Sequence, residues 1–468
     1  MAVVNIIKIS RLESTNILAP EFYHPVKINL KKQLKHISTK RIKDRFYNIT
    51  YLFNNKTGNL TQKSTVFDLS DVTSYFLYGG KSVQSLREVG STKKIFLQND
   101  VLISRLRPYL QEVTFVGFDG KFNLASTEFI VLRSKDIQYY PETLFAYLIS
   151  EYMQNILKWS TTGTEHPRFN ERYFLNLPLP NFSNEIQSKV KMLVQDAWNY
   201  FLDSHKFFSQ GEKILFEELK LKDFIPKYKN TYIDKVTEVS SSHRLDAEYY
   251  QPAYKEVIKK LQEKGLQYLL DFVNIIKSNF DPSNFPDQHF KYIELSDIDP
   301  HLGLINNSTE MLGKELPSRA KRILKENDII ISSVEGSLDK VAIVDKGNDG
   351  TIASNGFIQL RPVKINSEVL LLLAKSIVIQ SQLQRYSTGT ILASVNCNAL
   401  KNFIIPLLSK GDQDRISNCI KKSHNFRYKA LHLLEIVKHS IDMAIEDNES
   451  KAIEYLNNGN DKIGDFND

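Results

Sequence analysis

Gly79-Gly80-Lys81-Ser82 is the stretch of this chain that looks most fit to cradle a phosphate. A phosphate-binding loop needs a further glycine five positions before Gly80, so that its backbone N–H groups can wrap the anion, and Tyr75 stands there instead. The stretch reads as a surface turn. No HExxH, GxSxG or paired CxxC occurs, which leaves zinc-dependent hydrolysis and serine acyl transfer without support. Cys397 sits in the polar run VNCNAL with no histidine nearby and is expected to fill space. His166, after a Thr-Gly-Thr turn, reads as a solvated side chain. There is no Asn-Pro-Pro-Tyr-type tetrapeptide and no Gly-rich nucleotide loop; DPSNFP, around Pro282, is the nearest approach and fails. The chain is expected to be non-catalytic, with no catalytic residue, no metal site and no bound cofactor.

Composition narrows the class. An apolar content of 42% with 25% charged residues is that of a soluble globular protein. A length of 468 residues exceeds one ordinary core, so two or more domains are expected. The apolar run Val369–Ala374 is far too short to span a bilayer. Met1–Ser10 has no long apolar core of the secretory kind, and Cys397 and Cys419 suggest no disulfide framework. A cytoplasmic location is expected. The net charge of +7 is compatible with a nucleic-acid partner without requiring one.

The elements that must position any functional residue come in two copies. Sliding the chain on itself by about 227 residues sets Glu21-Phe22-Tyr23-His24-Pro25 on Glu248-Tyr249-Tyr250-Gln251-Pro252. At nearly the same shift Asn99–Ser104 falls on Asn327–Ser332, and Ala125–Arg133 on Ala353–Arg361. Thr162-Gly163-Thr164 falls on Thr388-Gly389-Thr390, then Asn176, Pro180 and Gln187 fall on Asn402, Pro406 and Gln413. Matches in this order at one shift mark a duplicated unit. Each copy holds short β-branched and aromatic runs between Gly, Asn, Asp and Pro, with turns at Asp119-Gly120 and Asp349-Gly350. The fold class is therefore α+β.

Each copy then turns helical. Val190, Val194, Ala197, Phe201, Ser204, Phe208, Gly211 and Leu215 step alternately by four and three. Ile416, Ile420, Ser423, Arg427, Ala430, Leu434, Val437 and Ile441 repeat that seam in the same register. Arg427 and Gly211 weaken it locally. Two such helices are expected to pair as an antiparallel coiled coil, the alternative being that each packs only on its own domain. Pro226 and the polar VTEVSSS at 236–242 read as a linker, and the Gly/Asn-rich end as a polar tail. The expected boundaries are 1–182 and 244–409 for the two domains, and 183–222 and 410–448 for the helices. The linker is 223–243 and the tail 449–468.

Two related globules on two paired helices form a device with two reading heads. A helix of about 36 residues is about 54 Å long, and DNA half-sites one turn apart lie about 34 Å centre to centre. The pair could thus act as a spacer over an unread gap.

With the duplicated plan, RLDAEYYQP (244–252), NDIIIS (327–332), and the two TGT turns each followed by a strand, a proline and a Gln-bearing helix, the chain resembles the specificity (S) subunit of type I restriction-modification systems. The resemblance covers nearly the whole length. It departs in Ile404-Ile405-Pro406 for Pro178-Leu179-Pro180, and in an insertion between Arg11 and Glu21. The resemblance implies two target-recognition domains that each read half of a bipartite site in double-stranded DNA. It implies two adenine-N6 methyltransferase (M) subunits docked on the helices, and restriction (R) subunits beyond them. S-adenosylmethionine, ATP and Mg would then belong to those partners, and no membrane is involved.

Phosphate contacts favour Lys, Arg, Ser, Thr and backbone N–H, while base edges favour Arg, Lys, Asn and Gln. In the first domain this selects Lys93, Lys94, Arg105, Arg107, Thr162, Thr164 and Arg168. In the second it selects Ser332, Ser333, Ser337, Lys340, Thr388 and Thr390. Competing local roles are salt bridges for Arg105 and Arg107, and self-bonded turns for the TGT hydroxyls. Tyr249 and Tyr250 are expected to seat the domain. Two other functions stay open on the sequence: a two-domain protein-binding scaffold, and a single-chain nuclease or methyltransferase with an unrecognised site.

Overall fold

The computed structural model describes residues 17–58, 64–118, 123–262, 264–389 and 393–461, with backbone alone at 460 and 461. The chain divides into two compact units. Unit 1 is Met1–Leu202 with Arg427–Asp468, and unit 2 is Asp203–Phe426.

In unit 1, strands Phe46–Asn48 (β1), Val101–Ser104 (β2), Val113–Phe115 (β3) and Phe129–Ser134 (β4) form an antiparallel sheet in the order β3-β2-β4-β1. In unit 2, Val273–Ile276 (β5), Ile329–Ser332 (β6), Val341–Ile343 (β7) and Phe357–Pro362 (β8) repeat that order as β7-β6-β8-β5. A second sheet accompanies each. In unit 1 it runs Leu52–Phe53, Lys93–Phe96, Asn123–Ala125, Ser64–Phe67, Lys81–Val83. In unit 2 it runs Ala320–Ile323, Ile352–Ser354, His289–Ile293, Thr309–Leu312. Both second sheets contain a parallel pair at the matching place, between Ser64–Phe67 and Asn123–Ala125 and between His289–Ile293 and Ile352–Ser354.

The Asn-Asp pairs show how sequence enters these strands. Asn99 and Asn327 take φ of 66° and 70°, the left-handed region that asparagine tolerates best after glycine. The following aspartates fold back on the turn, accepting the N–H groups of Leu97 and Lys325 at 2.8 and 3.0 Å. Each also holds an arginine in two bonds: Asp100 takes Arg133 at 2.8 and 2.7 Å, and Asp328 takes Arg361 at 2.7 and 2.8 Å. Both carboxylates are buried, so a lost arginine would leave a charge without its partner. The Asp119-Gly120 turn lies outside the described residues.

Helices Pro141–Ile149 (α1) and Glu151–Lys158 (α2) cover the first sheet of unit 1. Ser150 separates them and caps α2 by accepting the N–H of Met153. The long helix Asn184–Glu218 (α3) begins in unit 1 and ends in unit 2. In unit 2, Ser367–Lys375 (α4) and Ile377–Tyr386 (α5) repeat α1 and α2, with Ser376 as the matching cap. The second long helix, Lys410–Glu446 (α6), begins in unit 2 and ends in unit 1.

The two long helices run antiparallel. In unit 1, Val190, Val194, Ala197 and Phe201 of α3 share one core with Ala430, Leu434, Val437 and Ile441 of α6. In unit 2, Phe208 and Leu215 share a core with Ile416 and Ile420. All twelve are buried. Gly211 and Arg427 fit the pairing for reasons their types conceal. A Cβ on Gly211 would stand 3.0 Å from Ile420 Cδ1, so the glycine admits a close helix approach. Arg427 is fully buried with its guanidinium 5.3 Å from the ring centroids of both Phe76 and Phe201.

One expectation needs correction. Glu449 onward is not a bare tail: Glu449–Asp461 is a helix (α7). Ala452 and Leu456, one turn apart, are buried with Ile436 in the unit 1 core, and the Glu449 carboxylate accepts the Ser183 N–H at 3.1 Å. Within the expected linker, VTEVSSS forms a short helix, Val236–Ser242. Lys255 holds Asp234 and Glu238 at 2.7 and 3.3 Å, and Ser242 bonds the Tyr250 hydroxyl at 2.5 Å.

Candidate nucleic-acid interface

In both units the TGT segment forms one arm of a two-stranded hairpin. Thr161–Thr162 pairs with Arg168–Phe169, and Ser387–Thr388 with Ser394–Val395. Thr162 Oγ1 donates to the Arg168 carbonyl and Thr388 Oγ1 to that of Ser394, both at 3.4 Å. These hydroxyls therefore serve the hairpin. Gly163 and Gly389 have φ of 97° and 134°, which explains the glycine in each turn. Thr164 is exposed on the unit 1 loop, and Thr390 lies outside the described residues.

Beside the unit 1 hairpin the end of β2 brings up Arg105 and Arg107. Glu128, just before β4, gathers the cations. Arg168 donates to it from Nε and from Nη2, the latter at 2.9 Å, and Arg105 donates from Nε at 3.0 Å. Those bonds, Arg168's foremost, hold the Glu128 carboxyl below the usual range. Arg107 takes a left-handed φ of 46°, and its Nη2 reaches the Glu165 carbonyl and His166 Nδ1, each at 3.4 Å. Arg105, Arg107, Thr162, Thr164 and Arg168 are thus brought together around one loop.

Lys93 and Lys94 are not on that surface. Both are buried in the second sheet, where Lys93 Nζ bonds Asp68 at 3.0 Å. Burial pushes the Lys94 ammonium below its ordinary pKa. In unit 2 the selected residues are mostly half-buried and engaged in local bonds. Ser332 is buried and bonds Ser337 at 2.9 Å, Ser333 bonds the Gly356 carbonyl at 2.8 Å, and Lys340 Nζ bonds that of Ile298 at 3.0 Å. Tyr249 and Tyr250 are buried and pack edge to face, with Arg385 over the Tyr249 ring.

Two features escaped sequence reasoning. Glu128 is by type a poor DNA contact, and its mismatch with Gly356 at the matching place of the repeat is the signal the sequence offers. Tyr109 and Leu110, about half exposed next to Arg107, carry no periodic signature. Among the described residues no group of three or more His, Cys, Asp or Glu is placed to hold a metal, and no helix is long and apolar enough to cross a membrane.

Residues 215–429 match the family model for the type I restriction modification DNA specificity domain. Residues 215–429 thus carry a specificity domain of the type I kind. The strand order of unit 1 repeats that of unit 2, which contains most of the matched segment. Solved structures similar to the chain include the HsdS subunit from Thermoanaerobacter tengcongensis, 16% identical over 89% of this chain and 96% of that one, with a TM-score of 0.28. The S subunit of M. genitalium is 12% identical over 89% and 95%, TM-score 0.36. A chain from a type I R-M system, described for its complex assembly and conformational transition, is 15% identical over 90% and 96%, TM-score 0.30. No curated protein matches the chain. The general role that follows is a specificity subunit, recognising DNA within a type I system.

Proposed function

We propose that this non-catalytic chain reads a bipartite target in duplex DNA and docks the subunits that act on it. Residues 1–182 and 244–409 serve as the two recognition domains, and the paired helices set the unread gap between half-sites. The helices dock two adenine-N6 methyltransferase subunits, with restriction subunits joining that core. S-adenosylmethionine, ATP and Mg are used by those partners, in the cytoplasm. The observation that carries this reading is the duplication: one family-matched specificity fold, present twice with the same strand order, on helices whose seams also repeat.

The test is to co-express the chain with a type I methyltransferase subunit encoded beside it and to sequence the modified adenines. A split motif that disappears without this chain is expected. Methylation independent of the chain would overturn the proposal.

A further inference from the structure

Unit 1 carries a charged cluster that its repeat lacks. Glu128 is gripped by Arg168 through Nε and Nη2, while the Nη1 of Arg168 is engaged by the His166 carbonyl at 3.1 Å. Arg105 is held differently. Among the described residues its side chain bonds only through Nε, to Glu128 Oε2 at 3.0 Å, and it is 37% exposed. Both terminal Nη groups are left without a bond among the described residues.

A purely structural arginine–carboxylate pair tends to use the fork in two parallel bonds, as Arg133 and Arg361 do on their aspartates. Anchoring through Nε alone holds the guanidinium at Glu128 and keeps its two-pronged end free. That end matches the O6 and N7 acceptors of guanine in the major groove. Because Glu128 is itself pinned by Arg168, the prong is aimed before any ligand arrives. Tyr109 and Leu110, about half exposed, lie close by in sequence.

The three matching positions in unit 2 carry no charge, and Glu335 stands where unit 1 has Arg107. Isolated bridges pair Leu106 with Arg168 in unit 1 and Val334 with Ser394 in unit 2, which fixes the equivalence. Ser333, Gly356 and Ser394 therefore stand where unit 1 has Arg105, Glu128 and Arg168. Ser333 Oγ donates to the Gly356 carbonyl at 2.8 Å. The two units repeat a frame and differ in charge all round this bridge, with Arg107 also matched by Glu335.

We infer that Arg105, aimed by Glu128 and Arg168, reads a guanine in the half-site contacted by unit 1, and that unit 2 reads its half-site without a guanidinium at this position. The inference rests on the proposal that the chain binds duplex DNA. It assigns Arg105 as a specificity residue and Glu128 and Arg168 as positioning residues.

The experiment selects duplexes from a randomised library with the full chain bound to its methyltransferase subunit. Wild type, Arg105→Gln and Glu128→Gln are compared, and 7-deazaguanine is scanned through the selected site. Wild type is expected to enrich a guanine in one half. Arg105→Gln should lose that preference alone, with about a ten-fold or greater fall in affinity for the wild-type site. Glu128→Gln should weaken binding while keeping the guanine. Replacing the guanine by 7-deazaguanine should weaken wild type by a similar factor and leave Arg105→Gln unaffected.

A split site whose two halves survive Arg105→Gln would overturn the inference and leave the proposed function standing. So would a loss uniform across sequences with a shallower salt dependence, the behaviour of a phosphate contact. Should Arg105→Gln fail to fold, the wild-type scan decides: insensitivity to 7-deazaguanine throughout one site overturns the inference. A wild-type complex that enriches no sequence removes the underlying function instead.

Discussion

Asp442 lies near the end of α6 and accepts the N–H groups of Glu151 and Tyr152, at the start of α2, at 3.2 and 3.3 Å. Burial raises its pKa from 3.8 to about 6, against the pull of those bonds and of Lys438. The folded chain therefore holds this proton where the unfolded chain has lost it. Stability must fall as pH rises from about 4 to about 6, by on the order of 1–3 kcal/mol from this group, and level off above. Asp442→Asn is expected to flatten that decline in urea midpoints taken across the window, and an unchanged slope would dismiss the assignment. Single residues were unevenly legible in the sequence. The TGT glycines and the Asn-Asp turns announce their backbone needs by type alone. Glu128 and Asp442 do not, because what matters about them is which distant group folding brings beside them.

At the scale of elements, the seam of α3 and α6 was readable because its spacing is a local property of each helix. The closeness of approach was not, since it depends on the facing residue. Gly211 shows the difference: by propensity it weakens a helix, yet its missing Cβ makes room for Ile420 Cδ1. Gly211→Leu is expected to destabilise the protein by about 1–3 kcal/mol despite better helix propensity, through overpacking against Ile420 and Leu372. Denaturant unfolding measures it, and a stabilised variant would show that the helices move apart freely. The parallel strand pairs were hidden for the same reason as Glu128, because their partners are far apart in sequence. Helix α7 was hidden by composition: its polar and glycine content masks the short stripe of Ala452 and Leu456.

Over the whole molecule, duplication made most of the plan legible, because one copy annotates the other. The four-stranded orders, the Asp–Arg pairs and the serine caps recur at corresponding positions. What differs between copies, Arg105 against Ser333 and Glu128 against Gly356, is where the two reading surfaces should part company. If the helix pair is the spacer, removing one whole heptad from each long helix should shorten the tolerated gap and leave both half-sites as they were. Mapping methylated adenines for the shortened chain with its methyltransferase reads this directly; altered half-sites would exclude a spacer role.

Unit 2 is a continuous stretch of chain, whereas unit 1 needs both the first 202 residues and the last 42, from Arg427 to Asp468. During synthesis unit 2 has all its residues before unit 1 does, although unit 1 was begun first. The seam of Val190, Val194, Ala197 and Phe201 must wait for Ala430, Leu434, Val437 and Ile441 to leave the ribosome. A chain stopped before Arg427 would thus carry a whole unit 2 and an open unit 1. Helix α7 and the end of α6 thereby make completion of unit 1 contingent on synthesis past Arg427.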